Sequence, residues 1–179
     1  DPIKDSLIYN GYNFKAFKNL KYNPKLLLNS VFIEPNDLYN DENRELTRKH
    51  IRGLSNFRSV EINYTELPDD NLVASIRLTP LKKYSLGFNT ELTHSNIRQL
   101  GTSGKLSFLN RNVFKGAEIL KFSIQGSYFL DSKDAANNEK LLNAWEIGGD
   151  ISLELPRFFL PFNPNMLISK SKEPKTTFT

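Results

Sequence analysis

The sequence predicts an α+β unit in residues 1–80, followed in residues 81–179 by long antiparallel strands of the kind that build a β-barrel. Two observations carry this reading. Apolar residues recur at helical spacing only before residue 55, and four segments after residue 83 alternate apolar and polar side chains over nine to fourteen positions. Strands of that length exceed the five or six residues usual in water, and suit a tilted membrane strand of roughly nine to eleven.

In the first half, residues 5–15 read as a short strand interrupted by the turn-prone Asn10-Gly11. Residues 24–33 open with Pro24 at a plausible first helical position. Leu27, Leu28, Val31 and Phe32 follow at helical spacing, although a segment this short also suits a strand. Residues 41–54 are the clearest helix, with Asp41 as N-cap, acidic residues in the first turn, and a narrow stripe of Leu46, His50, Ile51 and Leu54. Residues 57–67 and 72–80 read as strands joined by the turn Pro68-Asp69-Asp70-Asn71. The order is strand, helix, helix, strand, strand, with the helices covering one face of a short sheet.

In the second half, residues 84–94 set Leu86, Phe88, Thr90 and Leu92 against Ser85, Gly87, Asn89, Glu91 and Thr93. Residues 104–112 alternate more weakly. Residues 118–131 set Leu120, Phe122, Ile124, Tyr128 and Leu130 against Lys121, Ser123, Gln125 and Asp131. Residues 145–156 set Trp145, Ile147, Ile151, Leu153 and Leu155 against Glu146, Asp150, Ser152 and Glu154. One face suits lipid and the other a watery interior, with Trp145 and Tyr128 near segment ends where aromatic girdles form. Soluble sandwiches and lipocalin-like barrels show the same alternation, so periodicity leaves both open. The connections at 95–103 and 132–143 are polar, 112–116 is a tight turn, and 156–165 is apolar and Pro-rich. Four strands cannot close a barrel. The segment Lys175 to Thr179 reads as the opening of another, so the chain is expected to be a fragment of something longer.

Composition narrows the function classes. The 179 residues include no Cys, which removes thiol chemistry and Cys-ligated metals. No apolar run is long enough for a transmembrane helix, and the opening residues show no charged n-region followed by an apolar h-region, so the chain is expected to be either cytosolic or a processed or truncated piece. The net charge of +4 is not gathered into a dense basic run, so nucleic acid is not an expected partner. No catalytic constellation, phosphate loop or nucleophile elbow is present, and the chain is not expected to be an enzyme or to hold a cofactor or metal. His50 suits helix packing and His94 the end of a strand. Asp69-Asp70 and Glu42 with Glu45 suit local capping and solvation.

The pattern Leu54-x-x-Phe57-x-x-Val60-x-Ile62 follows a capped helix and precedes two strands. With Leu78-Thr79-Pro80, Lys83-Tyr84-Ser85, Thr93-His94-Ser95-Asn96 and NRNVFKGAE at 110–118, it resembles the BamA/TamA outer-membrane assembly family, nearest its TamL-like branch. The resemblance implies an α+β POTRA domain (β-α-α-β-β) over residues 1–80, followed over 81–179 by the first strands of an antiparallel transmembrane β-barrel. It also implies an outer-membrane barrel with its POTRA domain in the periplasm, serving as an assembly or insertion factor. Its partners would be outer-membrane lipid, client outer-membrane proteins, and periplasmic or lipoprotein accessory subunits. A secretion transporter exporting one dedicated substrate, or a soluble α+β binding module, are the alternatives.

The chemistry such a protein needs is main-chain pairing: a client strand adds to an exposed sheet edge. One candidate edge is a short strand in residues 1–80. The other is the first long strand, with Tyr84, Leu86, Gly87, Phe88, Asn89, Thr90 and Leu92, where Gly87 and Asn89 weaken the strand. The second candidate region is the turn motif Asn110, Arg111, Asn112, Phe114, Gly116, Ala117 and Glu118. Arg111 is its most interesting charge, suited to turn chemistry and headgroup anchoring or to a contact with the POTRA unit or a partner.

Overall fold

The computed structural model describes residues 3–94, 100–130, 143–157 and 175–179. Among these, nine strands and two helices follow in the order β1 (Asp5–Tyr9), β2 (Tyr12–Ala16), α1 (Pro24–Asn29), α2 (Asp41–Gly53), β3 (Phe57–Glu66), β4 (Leu72–Pro80), β5 (Tyr84–Thr93), β6 (Leu100–Arg111), β7 (Ile119–Leu130), β8 (Asn143–Leu155) and β9 (Thr176–Phe178). The strands form three separate sheets, β1-β2, β3-β4 and β5-β6-β7-β8-β9.

This corrects the predicted fold class. The described chain is mostly antiparallel strand with only two helices, of 6 and 13 residues, and does not match the POTRA β-α-α-β-β plan. The physical reason lies at Asn10-Gly11. Both residues take left-handed φ values, 50° and 79°, so the chain makes a two-residue hairpin turn. β1 then satisfies its backbone on β2, from Asp5↔Ala16 to Tyr9↔Tyr12, instead of joining β3 and β4. The predicted transmembrane barrel is not seen either. The five-stranded sheet is open among the described residues, ending at β5 on one side and at the three-residue β9 on the other.

Several elements differ in detail. The N-cap of α2 is Asn40, not Asp41; its side-chain Oδ1 accepts from the Glu42 N–H at 2.8 Å, and Asp41 becomes the first helical residue. Asn23 caps α1 in the same way, with Pro24 directly after it, and the helix stops at Asn29. Residues 100–103, read as loop, open β6. Lys175 to Thr179 does yield a short strand, which neighbours β8. Of the predicted loops at 95–103, 132–143 and 156–165, residues 95–99, 132–142 and 158–165 lie outside the described residues.

The chain divides into two compact units. The first comprises Asp1–Lys83, Arg111–Ile119 and Glu154–Thr177; the second comprises Tyr84–Asn110, Leu120–Leu153 and Phe178–Thr179. The first unit holds a small core of Leu27, Val31, Ile51, Leu54, Phe57, Val60, Ile62 and Ala117. Thr47 is fully buried inside the helical stripe because its hydroxyl has two local partners: it donates to the Asn43 carbonyl at 2.7 Å and accepts from the Phe32 N–H at 2.9 Å. His50 is buried edge-on to the Phe32 ring, at 4.7 Å between centroids.

The second unit is the long sheet, with strands β5 to β8 of 10, 12, 12 and 13 residues. Directly paired residues share a face, so β5 and β6 place Tyr84, Leu86, Phe88, Thr90 and Leu92 beside Thr102, Gly104, Leu106, Phe108 and Asn110. On the opposite face the Ser123 hydroxyl of β7 donates to the Asp150 carboxylate of β8 at 2.7 Å, and Lys105 of β6 lies 3.8 Å from the same carboxylate. These contacts align the faces of all four strands.

Candidate functional site

The first predicted site is the β5 edge. β5 is hydrogen-bonded within its sheet only to β6, in register from Tyr84↔Asn110 to Thr93↔Gly101. Between Leu86 and Leu92 its outer row of backbone groups faces no further strand of that sheet among the described residues, which is the geometry of a pairing template. The seven predicted residues form a line along one strand rather than a pocket. Tyr84, Leu86, Phe88, Thr90 and Leu92 are exposed on the apolar face. Gly87 and Asn89 lie on the other face, opposite Ser107 and Lys105. Gly87 is half-buried, and its carbonyl accepts weakly from the Ser107 hydroxyl at 3.4 Å. A Cβ there would stand 2.8 Å from that hydroxyl oxygen.

The face to which β5 belongs is free of charged side chains within β5 to β8. Every Lys, Arg, Asp and Glu within β5 to β8 falls on the opposite face: Glu91, Lys105, Arg111, Lys121, Glu146, Asp150 and Glu154. The charge-free face carries Leu86, Phe88, Phe122, Ile124, Ile147 and Ile151, all exposed, with Leu86, Phe88 and Ile147 each more than 70% so. No second sheet or helix covers them among the described residues. At one end Tyr84 stacks on Phe108, with 5.9 Å between centroids and 20° between planes. At the other end stand Tyr128 and Trp145, both exposed. Strands of ten to thirteen residues at about 3.3 Å each would span about 25–33 Å at the roughly 40° tilt usual for membrane strands, a length comparable to the hydrocarbon core of a bilayer. No helix among the described residues is long and apolar enough to cross a membrane, which says nothing about strands.

The second predicted site, residues 110–118, is a built structure rather than a simple tight turn. Asn110 ends the pairing with β5, opposite Tyr84. The Arg111 N–H donates to the Lys83 carbonyl at 2.8 Å, and its guanidinium donates to the Lys82 carbonyl at 3.1 Å. Asn112, Lys115 and Ala117 all adopt left-handed φ, at 57°, 64° and 56°. Such backbone is costly for residues with a Cβ, and persists where surrounding bonds over-determine it.

Those bonds are centred on Glu118. Its side chain is 1% exposed, and its Oε2 accepts from the Phe114 N–H at 3.0 Å and the Gly116 N–H at 2.9 Å. Asn112 braces the other side. Its N–H donates to the Glu118 carbonyl at 2.6 Å, its Oδ1 accepts from the Ala117 N–H at 3.1 Å, and its Nδ2 donates to the Lys21 carbonyl at 2.8 Å. A side chain at Gly116 would collide with the Glu118 carboxylate. Phe114, by contrast, is held outward and is 69% exposed.

Besides Lys21, two further partners of this motif were not singled out from sequence. Asn56 is fully buried, and its Nδ2 donates to the carbonyls of Leu54 and Ala117, both at 2.8 Å. Asn23, the α1 cap, also donates its N–H to the Lys115 carbonyl at 2.8 Å. The one signal available for Asn56 was a polar amide between the apolar Leu54 and Phe57. Tyr22 lies beside them, tilted against Phe57 at 4.8 Å. Burial pushes its phenol above the usual pKa, partly opposed by the nearby Arg111 cation.

Among the described residues no group of three or more His, Asp or Glu is arranged to hold a metal. No protein-family model matches this chain, and no curated protein matches it.

Proposed function

We propose that the five-stranded sheet lies in an outer membrane, and that the chain serves the assembly or insertion of other outer-membrane proteins by pairing their strands to its β5 edge. The observation that carries this reading is the charge-free, exposed, aromatic-ended face of β5 to β8, opposed by a face that holds every charge of those strands. In water such a face would have to be covered; lipid covers it without a partner. Unpaired main-chain groups are costly in lipid, so the β5 edge must be met by another strand, either a resident one or a client's. The BamA/TamA resemblance favours the client, with main-chain pairing in place of catalysis. The aqueous first unit then faces the periplasm and any periplasmic or lipoprotein accessory subunits.

The chain has no Cys, so a single Asn89→Cys places one thiol on the edge. It is expected to form a disulfide with a Cys in the terminal strand of a client barrel caught during assembly. Absence of any such adduct from a Cys scan of residues 84–94 would remove the assembly role.

A further inference from the structure

We infer that the cationic surface around the β6–β7 connection binds the phosphates of anionic lipid headgroups, with Phe114 set into the interface beside them. The inference rests on the lipid-facing reading of the sheet and adds a specific headgroup site to it.

The cations are gathered by main-chain bonds within the first unit. The Lys21 carbonyl accepts from Asn112, and the Lys115 carbonyl accepts from the Asn23 N–H. The Lys82 and Lys83 carbonyls both accept from Arg111. Three stretches distant in sequence thus bring Lys21, Lys82, Lys83, Arg111 and Lys115 onto neighbouring backbones. The four lysines are exposed and Arg111 is half-buried. Across residues 20–25, 81–84 and 110–118 the only carboxylate is Glu118, which is buried and taken up by two backbone N–H groups. The Asp5 carboxylate also reaches this region, accepting from the Leu20 N–H at 2.9 Å, so five cations face one carboxylate there and the surface is net positive and held in shape by its own backbone.

Its place along the chain selects the occupant. Lys82 and Lys83 directly precede Tyr84, and Arg111 is the last residue of β6. On both strands the order is aliphatic residues, then an aromatic residue of the Tyr84–Phe108 stack, then cations. That is the order of acyl chain, interface and phosphate across a leaflet. Phe114, 69% exposed on a loop its hydrogen bonds hold in place, adds an apolar group among the charges, which suits the headgroup interface of a bilayer.

The test presents the refolded full chain to vesicles of phosphatidylcholine alone, and to vesicles with about a quarter phosphatidylglycerol. At about 0.1 M salt, association with the anionic vesicles should be stronger by about fivefold for each engaged cation, and most of the excess should vanish at about 0.5 M. Replacing Lys21, Lys82, Lys83 and Lys115 together with Gln should cut the excess by roughly six hundredfold, fivefold for each of the four, while leaving association with phosphatidylcholine unchanged. Equal association of the unaltered chain with both vesicle types overturns the headgroup site, as does an undiminished preference in the quadruple variant. Full competition by a short single-stranded DNA at the same salt would also overturn it, as a general polyanion face. Failure of Trp145 emission to shift with either vesicle removes the lipid-facing sheet itself. Insertion into both without preference removes only the headgroup site.

Discussion

Glu118 shows how one side chain can hold an awkward backbone. A carboxylate that is 1% exposed needs full compensation, and here the Phe114 and Gly116 N–H groups supply it, with Arg157 at 3.9 Å. In return it fixes a connection in which three residues with side chains hold left-handed φ. Glu118→Ala would leave two donors without their acceptor and is expected to cost about 2–3 kcal/mol of stability. Glu118→Gln retains one oxygen and should cost about 1 kcal/mol. Urea unfolding followed by circular dichroism checks both, and equal stability of all three proteins would contradict this role. The surface pairs of Arg44 with Asp41 and Arg48 with Glu45 join half-buried guanidiniums to exposed carboxylates, and contribute at most about 0.5 kcal/mol each.

At the scale of the element, the two faces of β7 make opposite demands. Ile124 stands exposed on the charge-free face, while Gln125, the next residue, belongs to the face that carries Lys105 and Asp150. Ile124→Arg is therefore expected to destabilise the sheet in lipid vesicles by about 2–4 kcal/mol, whereas Gln125→Arg should be close to neutral. Denaturant titration in vesicles checks the pair. Equal effects at the two positions would mean that the apolar face does not meet lipid. The same alternation explains what could be read from sequence here. Period two is visible in the middles of β5, β7 and β8, where apolar positions such as Phe88, Phe122, Ile124, Ile151 and Leu153 stand between polar or glycine neighbours. In β6 the signal fades over Leu100 to Gly104, where Gly and small polar residues occupy both faces. Gly101 is placed by tertiary packing instead: a Cβ there would stand 2.8 Å from the Phe129 ring.

For the molecule as a whole, three tyrosines on different elements tie the first unit to pH. Burial is the largest cause of a raised phenol pKa at Tyr12, Tyr22 and Tyr64; Glu34 and Asp37 add to it at Tyr12, and Tyr39 and Asp41 at Tyr64. Tyr12 also donates its hydroxyl to the Ile33 carbonyl at 2.9 Å. Each folded value lies above the unfolded 10.0, so the stabilisation is complete below pH 10 and is lost as pH rises through the folded values. The urea midpoint of the first unit's transition should hold steady to about pH 9 and fall beyond pH 10. Tyr22→Phe should make that fall shallower.

The helices, the long strands and their two-faced character were legible in the sequence, because periodicity and caps are local and each residue's neighbours in the chain decide them. The pairing of β1 was not: Asn10-Gly11 is a visible turn signal, yet only the folded chain shows that it closes β1 onto β2 and withholds it from β3 and β4. Asn23, Asn56 and Lys21 acquire their roles only when residues 110–118 arrive beside them, through hydrogen bonds spanning up to 91 residues. Composition along a strand can say that a face is greasy. Which surfaces remain uncovered, and which distant cations share a neighbourhood, depends on long-range packing that no local pattern encodes.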